Sequence, residues 1–172
     1  MKKINFRADI LPLKNELYRL ALRITLNHAE AEDVVQETMI KVWNRREQWD
    51  EIESIEAFCL TICRNMALDR MKRADSQNAS LDEADHDQAD RSYRADPEEQ
   101  AIQRDRVRLV QQLMNQLPEK QRSCIQLRDI EGKAYREIAE VLGICEQQVK
   151  VNIHRARQAV RQKFLETEQY GL

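Results

Sequence analysis

YREIAEVLGICEQQVKVNIHRARQAVRQKF, residues 135–164, decides how the chain is read. Ile138, Ala139 and Leu142 share one face of a short helix that begins at Tyr135. Gly143 follows, the residue that tolerates a left-handed backbone and ends a helix without strain. After a short turn, Val149, Ile153, Ala156 and Val160 fall at i, i+4, i+7 and i+11, the inner face of a second helix. Helix, glycine turn and helix make the helix-turn-helix pattern, whose second helix reads duplex DNA. On that helix Lys150, His154, Arg157 and Arg161 line one exposed stripe, with Arg155 at its margin and Gln147 and Gln148 at its start. From Lys150 to Lys163 there are five basic side chains and no acidic one. Cations in that array suit phosphates, and the amides suit base edges. A merely soluble amphipathic helix is the competing reading, and the charge segregation, the glycine turn and the inward period all weigh against it.

Upstream, Val107, Val110, Met114 and Leu117 mark the inner face of an amphipathic helix closed by Pro118. Pro118 then serves as a first-turn residue for a helix that ends before Gly132. Further upstream the charge changes character. The formal charge of the whole chain is -2, but residues 1–75 sum to 0, residues 76–103 to -6 and residues 104–172 to +4. The acidic stretch has few apolar side chains and no helical period, too little to offset its ordering entropy. The expected organisation is a helical domain over 1–74, a flexible acidic linker over 75–100 and a second helical domain over 101–172.

In the first domain Leu13, Leu17, Leu20, Ala21 and Ile24 follow one helix face, which should stop near Asn27. Asn27 with Glu30 three residues on is an N-cap signature for a second helix reaching about Trp43, with Val35, Met39 and Val42 inward. Its other side groups Asp33, Gln36, Glu37 and Lys41, which chemistry alone makes an ordinary solvated face. After a polar break over 44–53, Ser54 caps a third helix with Phe58, Cys59, Ile62, Cys63, Met66 and Ala67 inward. Thr61, Arg64, Asn65, Asp69 and Lys72 are left outside, and Trp43 and Trp49 are expected in the core.

Composition fits these elements. With 172 residues there is room for one ordinary or two small domains, and three Gly and three Pro leave too little turn chemistry for an all-β or doubly wound fold. The fold class is all-α. No apolar run is long enough to insert in a membrane, and residues 1–15 lack the features of a signal peptide, so a cytoplasmic location is expected. Cys59 and Cys63 lie one helical turn apart, the spacing of a metal or redox pair, but no His lies near, and buried thiols are the better expectation for them and for Cys124 and Cys145.

Two segments, AEDVVQETMIKVW with AFCLTICRNMALDRMKR, and LPEKQRSCIQLRDIEGKAYREIAEVLGICEQQVKVNIHRAR, together resemble the extracytoplasmic-function (ECF) group of bacterial RNA polymerase sigma factors. The resemblance covers roughly residues 13–73 and 104–166. It implies that the first domain is sigma region 2 and the last sigma region 4, with core RNA polymerase and promoter DNA as partners, an anti-sigma factor as a further one, and no cofactor. Asp33, Gln36 and Glu37 would dock on the clamp coiled coil of the largest polymerase subunit, and region 4 would meet the flap. The segment between Trp49 and Ile55, with Asp50 and Ser54, would match the loop that captures a flipped base of the minus-ten element. Thr61, Arg64, Asn65 and Lys72 would flank that strand. Arg128, Tyr135, Lys150, Val151, Asn152, His154, Arg155 and Arg157 match the positions that read the minus-thirty-five element, beside Gln147 and Gln148. Polymerase supplies the catalysis, so no catalytic residue is implied. The chain departs from the usual pattern at the recognition helix: Cys145 stands where a capping Ser is common, Gln147-Gln148 where Gly-Thr is, and Val151-Asn152 where Ser-Arg is. A stand-alone helix-turn-helix regulator is the alternative, and a helical adaptor that never meets DNA is a third.

Overall fold

The computed structural model describes residues 3–76 and 97–169. Most of the acidic linker expected from the sequence therefore lies outside the described residues. Seven α-helices and no strand occur among the described residues.

The N-terminal bundle is α1 (Lys14–Thr25), α2 (His28–Asn44) and α3 (Ile55–Ser76). Asn5 opens the chain's first turn, its Oδ1 accepting from the amides of Arg7 and Ala8 at 2.9 and 3.2 Å. Leu26 ends α1 in the left-handed region, φ 57°, and Asn27 then caps α2 by accepting from the Glu30 amide at 3.0 Å. A 3₁₀ turn, Arg46–Glu51, joins α2 to α3, and its Trp49 is buried with its indole N–H donating to the Val42 carbonyl at 3.0 Å. Ser54 caps α3 through the Ala57 amide at 3.2 Å.

The C-terminal half is α4 (Pro97–Asn115), α5 (Glu119–Ile125), α6 (Tyr135–Leu142) and α7 (Glu146–Gln169). A wide π turn, Gln126–Ile130, continues α5. Gly143, at φ 68°, makes the turn between α6 and α7. Cys145 is a poor cap, and Gln148 compensates: its Oε1 accepts from the Cys145 amide at 3.2 Å, the reverse arm of a capping box. Val107, on the expected inner face of α4, is 55% exposed, because the first turns of α4 reach past the body and the helix packs from Val110 onward, through Leu113 and Met114, with Leu117 just after it.

One apolar cluster runs through both halves. Leu17, Leu20, Ile24, Leu60 and Cys63 of the bundle belong to the same cluster as Cys124, Leu127, Ile138 and Val149. The bundle thus carries the C-terminal half on the side formed by α1 and α3.

Candidate nucleic-acid interface

Helix α7 buries Val149, Ile153 and Ala156 and turns Gln147, Lys150, Val151, His154, Arg155 and Arg157 to solvent. Tyr135, at the start of α6, carries the Arg128 guanidinium 4.2 Å from its ring centroid and the Lys150 ammonium at 5.6 Å. That ring therefore holds two cations at the mouth of the turn. Arg128 also donates to the Lys133 carbonyl at 2.9 Å. Asn152 donates back to the Gln148 carbonyl at 2.8 Å, so it and Gln148 serve the helix start as well as its surface. Arg157 makes a fork with Asp129, Nε to Oδ2 at 2.9 Å and Nη2 to Oδ1 at 2.5 Å, and these hydrogen bonds raise its pKa above the ordinary value.

The minus-ten candidates sit on α3 and the turn before it. Asp50, Asn65 and Lys72 are exposed, and Ser54 is half-buried in its capping role. Thr61 donates to the Ala57 carbonyl at 2.7 Å. Arg64 departs from expectation: it is only 6% exposed, and its guanidinium is forked by Glu119 of the other half at 3.1 and 2.9 Å. Its position on the helix period is outward for an isolated bundle, but the C-terminal half covers that side.

On α2, Asp33, Gln36 and Glu37 are exposed. Arg70 of α3 reaches across to Glu30 at 2.8 Å, Glu37 at 2.5 Å and Asp33 at 3.7 Å, gathering three carboxylates around one guanidinium. Hydrogen bonding to Glu30, working against partial burial, raises the Arg70 pKa. Sequence reasoning missed Ile40 and misplaced Trp43. They are 59% and 47% exposed and extend the same face, a placement the 3.6-residue period from Asp33 and Gln36 already contains. Arg46 lies over the Trp43 ring at 4.8 Å. The C-terminal half also carries an apolar groove of about 400 Å³, lined by Val110, Met114, Ile125, Ile130, Val160 and Phe164.

The cysteines take the expected place except Cys145, which is exposed. Burial pushes the Cys59 and Cys63 thiols up to about 12 and Cys124 to about 11, the opposite of a reactive thiolate. No group of metal-ligating side chains occurs among the described residues, and no described helix is long and apolar enough to cross a membrane.

A helix-turn-helix with a basic stripe, packed on a helical bundle that has an acidic face, defines the class of two-domain DNA-binding transcription proteins. Residues 10–77 match the family model for sigma-70 region 2, and residues 108–160 the model for sigma-70 region 4. The ECF RNA polymerase sigma factor SigL of Mycobacterium tuberculosis is 35% identical over 84% of this chain and 80% of its own length. SigW of Bacillus subtilis is 29% identical over 91% and 88%. Among solved structures, the sigma factor RpoE of Bartonella quintana, determined with the anti-sigma factor NepR, superposes with a TM-score of 0.76 at 24% identity, covering 94% of this chain and 96% of that one. The chain belongs to the ECF RNA polymerase sigma factors. It is a transcription initiation factor that directs RNA polymerase to promoters, and the stand-alone regulator is not supported.

Proposed function

We propose that the two faces divide the work of initiation. The α2 face of Asp33, Gln36 and Glu37, extended by the apolar Ile40 and Trp43, docks on the clamp coiled coil of core polymerase. Charged rim and apolar centre side by side are the composition of a protein interface. The turn before α3, with Asp50 and Ser54, takes the flipped minus-ten base, and Thr61, Arg64, Asn65 and Lys72 track the strand. Helix α7 enters the major groove at the minus-thirty-five element, with Arg128 and Tyr135 against the backbone and Gln147 through Arg157 over the bases. The groove beside Val160 and Phe164 receives the polymerase flap as an apolar helix. Catalysis stays with polymerase, the factor works in the cytoplasm, and an anti-sigma factor restrains it, as NepR binds the Bartonella quintana neighbour.

The observation that carries this reading is the pairing of an unbroken basic stripe on α7 with an exposed acidic and apolar face on α2. Co-elution with core polymerase and promoter-dependent transcripts are the expected results. Reversing Asp33 and Glu37 to Lys abolishes both while circular dichroism stays unchanged. A double variant that still co-elutes overturns the assignment of the docking face.

A further inference from the structure

We propose that Gln147 and Val151 give helix α7 its sequence choice by reading two adjacent A·T pairs in the major groove, while Gln148 and Asn152 hold the helix start and read no base. This choice of bases rests on the reading, given above, that α7 enters the groove.

The buried stripe fixes the face that enters. Val149, Ile153 and Ala156 are 0%, 2% and 0% exposed and seat α7 on the body. At 3.6 residues per turn, Gln147, Val151 and Gln158 fall within about 30° of the line opposite the centre of that stripe. All three are exposed. Lys150, Arg157 and Arg161 lie to one side of that line and Arg155 to the other, so cations flank a middle that carries no charge. Margins of this kind meet phosphates, and the middle meets base edges. Because the N-terminal turns of a recognition helix are the ones that reach the bases, Gln147 and Val151 are the pair in place, and Gln158 lies too far along.

Three amides stand in those turns, but two are committed. The Gln148 side-chain oxygen accepts from the Cys145 amide at 3.2 Å, and the half-buried Asn152 donates to the Gln148 carbonyl at 2.8 Å. Gln147 has no hydrogen-bond partner among the described residues. Its carboxamide offers a donor and an acceptor side by side, the complement of adenine N7 and N6. Val151 offers only methyl groups. They suit the C5 methyl of thymine, whereas a cytosine N4 donor placed against them would be left unpaired. The two side chains stand about 6 Å apart along the helix axis, and base pairs about 3.4 Å apart along the duplex, so the two contacts fall on neighbouring pairs. The Gly and Ser that are usual at these two places supply neither contact.

The test enriches duplexes randomised over the minus-thirty-five region of a promoter fragment, by binding to the holoenzyme and, in parallel, to the full chain alone. Enriched duplexes should carry adjacent A·T pairs, and changing the thymine of one pair to deoxyuridine, which removes only the methyl, should weaken binding about fourfold. Val151→Ser should bind the thymine and deoxyuridine duplexes alike, and Val151→Thr, which keeps a methyl, should tell them apart again. Replacing the adenine of the neighbouring pair by 7-deazaadenine, which lacks the N7 acceptor, should cost the unaltered chain roughly tenfold and Gln147→Ala nothing. Gln148→Ala and Asn152→Ala should keep both discriminations. The proposal is overturned by a methyl effect that persists in Val151→Ser, by the absence of any thymine whose methyl matters, or by a base preference that moves with Gln148→Ala or Asn152→Ala. Enrichment by the chain alone with none by holoenzyme overturns the polymerase reading instead, and the deoxyuridine comparison on those duplexes still decides the base choice. Enrichment in neither arm overturns both.

Discussion

Helices α3 and α7 are both proposed to read DNA, yet the fold treats them oppositely. Helix α3 buries Ala57, Cys59, Leu60, Ile62, Cys63, Met66, Ala67 and Arg64, most of its circumference. Helix α7 is two residues longer and buries only Val149, Ile153 and Ala156. A helix that is the wall of two halves at once has its polar groups committed to neighbours. A helix anchored along one narrow stripe keeps its own for a ligand. The difference separates structural weight from binding weight, and substitutions on the two helices should divide the same way.

The largest expected effect is on α3. Leu60 is 1% exposed, and Leu60→Ala should lower unfolding free energy by about 2–5 kcal/mol through lost burial and a residual cavity. Val151→Ala, at a 36% exposed site on α7, should stay within about 0.5 kcal/mol. Urea titrations of the two variants check this, and equal losses would erase the contrast. Next in size is Glu119→Ala. Leaving a guanidinium buried without its partner costs about 3–5 kcal/mol in a closed interior. Here Arg64 can regain water if the C-terminal half lifts away, so the loss should stay below about 3 kcal/mol and come with a broader urea transition. A full-sized loss with one sharp transition would mean the two halves unfold only together.

The same contrast explains what the sequence discloses. Recognition helix and turn were legible because each of their signals is local: Gly143 sets the turn, the spacing Val149, Ile153, Ala156 sets the inner face, and like charges crowd the outer one. Asn27 and Ser54 announced their helices for the same reason. Arg64 was placed outside because a helix wheel knows only its own axis, and Glu119, 55 residues away, is invisible to it. Asp129 beside Arg157 and Arg70 beside Glu37 escaped likewise, since opposite charges far apart in sequence give no sign of meeting. Trp43 was expected inside on residue type, but Val42 and Trp49 fill the core at that end and leave its neighbour at the surface.

On α7 the fork between Asp129 and Arg157 distinguishes two cations that the sequence treats alike. Among the described residues Lys150 lies over the Tyr135 ring and pairs with no carboxylate, so Lys150→Ala should flatten the salt dependence of promoter binding by about one unit in log–log slope. Arg157 already has its charge offset by a carboxylate, so Arg157→Ala should change the slope by clearly less than that. Asp129→Asn should steepen it by releasing the guanidinium to phosphate. Binding of polymerase holoenzyme to a promoter fragment across a salt series measures all three, and equal slopes for the two alanine variants would place Arg157 on the backbone despite Asp129.

The smallest effect expected is at Glu137, beside Lys133. One of its carboxylate oxygens is buried without a hydrogen bond, and Lys133 stands 4.0 Å away. Burial raises its pKa more than Lys133 lowers it, with Glu56 and Glu16 adding repulsion. A carboxyl whose pKa is raised by folding favours the folded state while it is protonated. That contribution is present below the unfolded value of about 4 and is lost as pH climbs through the folded value. At neutral pH the charge is therefore carried at a cost that an amide avoids. Glu137→Gln should stabilise the chain at pH 7 by a few tenths of a kcal/mol, because the group is partly solvated, and the gain should shrink to nothing below about pH 4. Urea midpoints for both forms at pH 3.5 and pH 7 decide it. A gain that is the same at the two values would assign the effect to packing against α3 and not to ionisation.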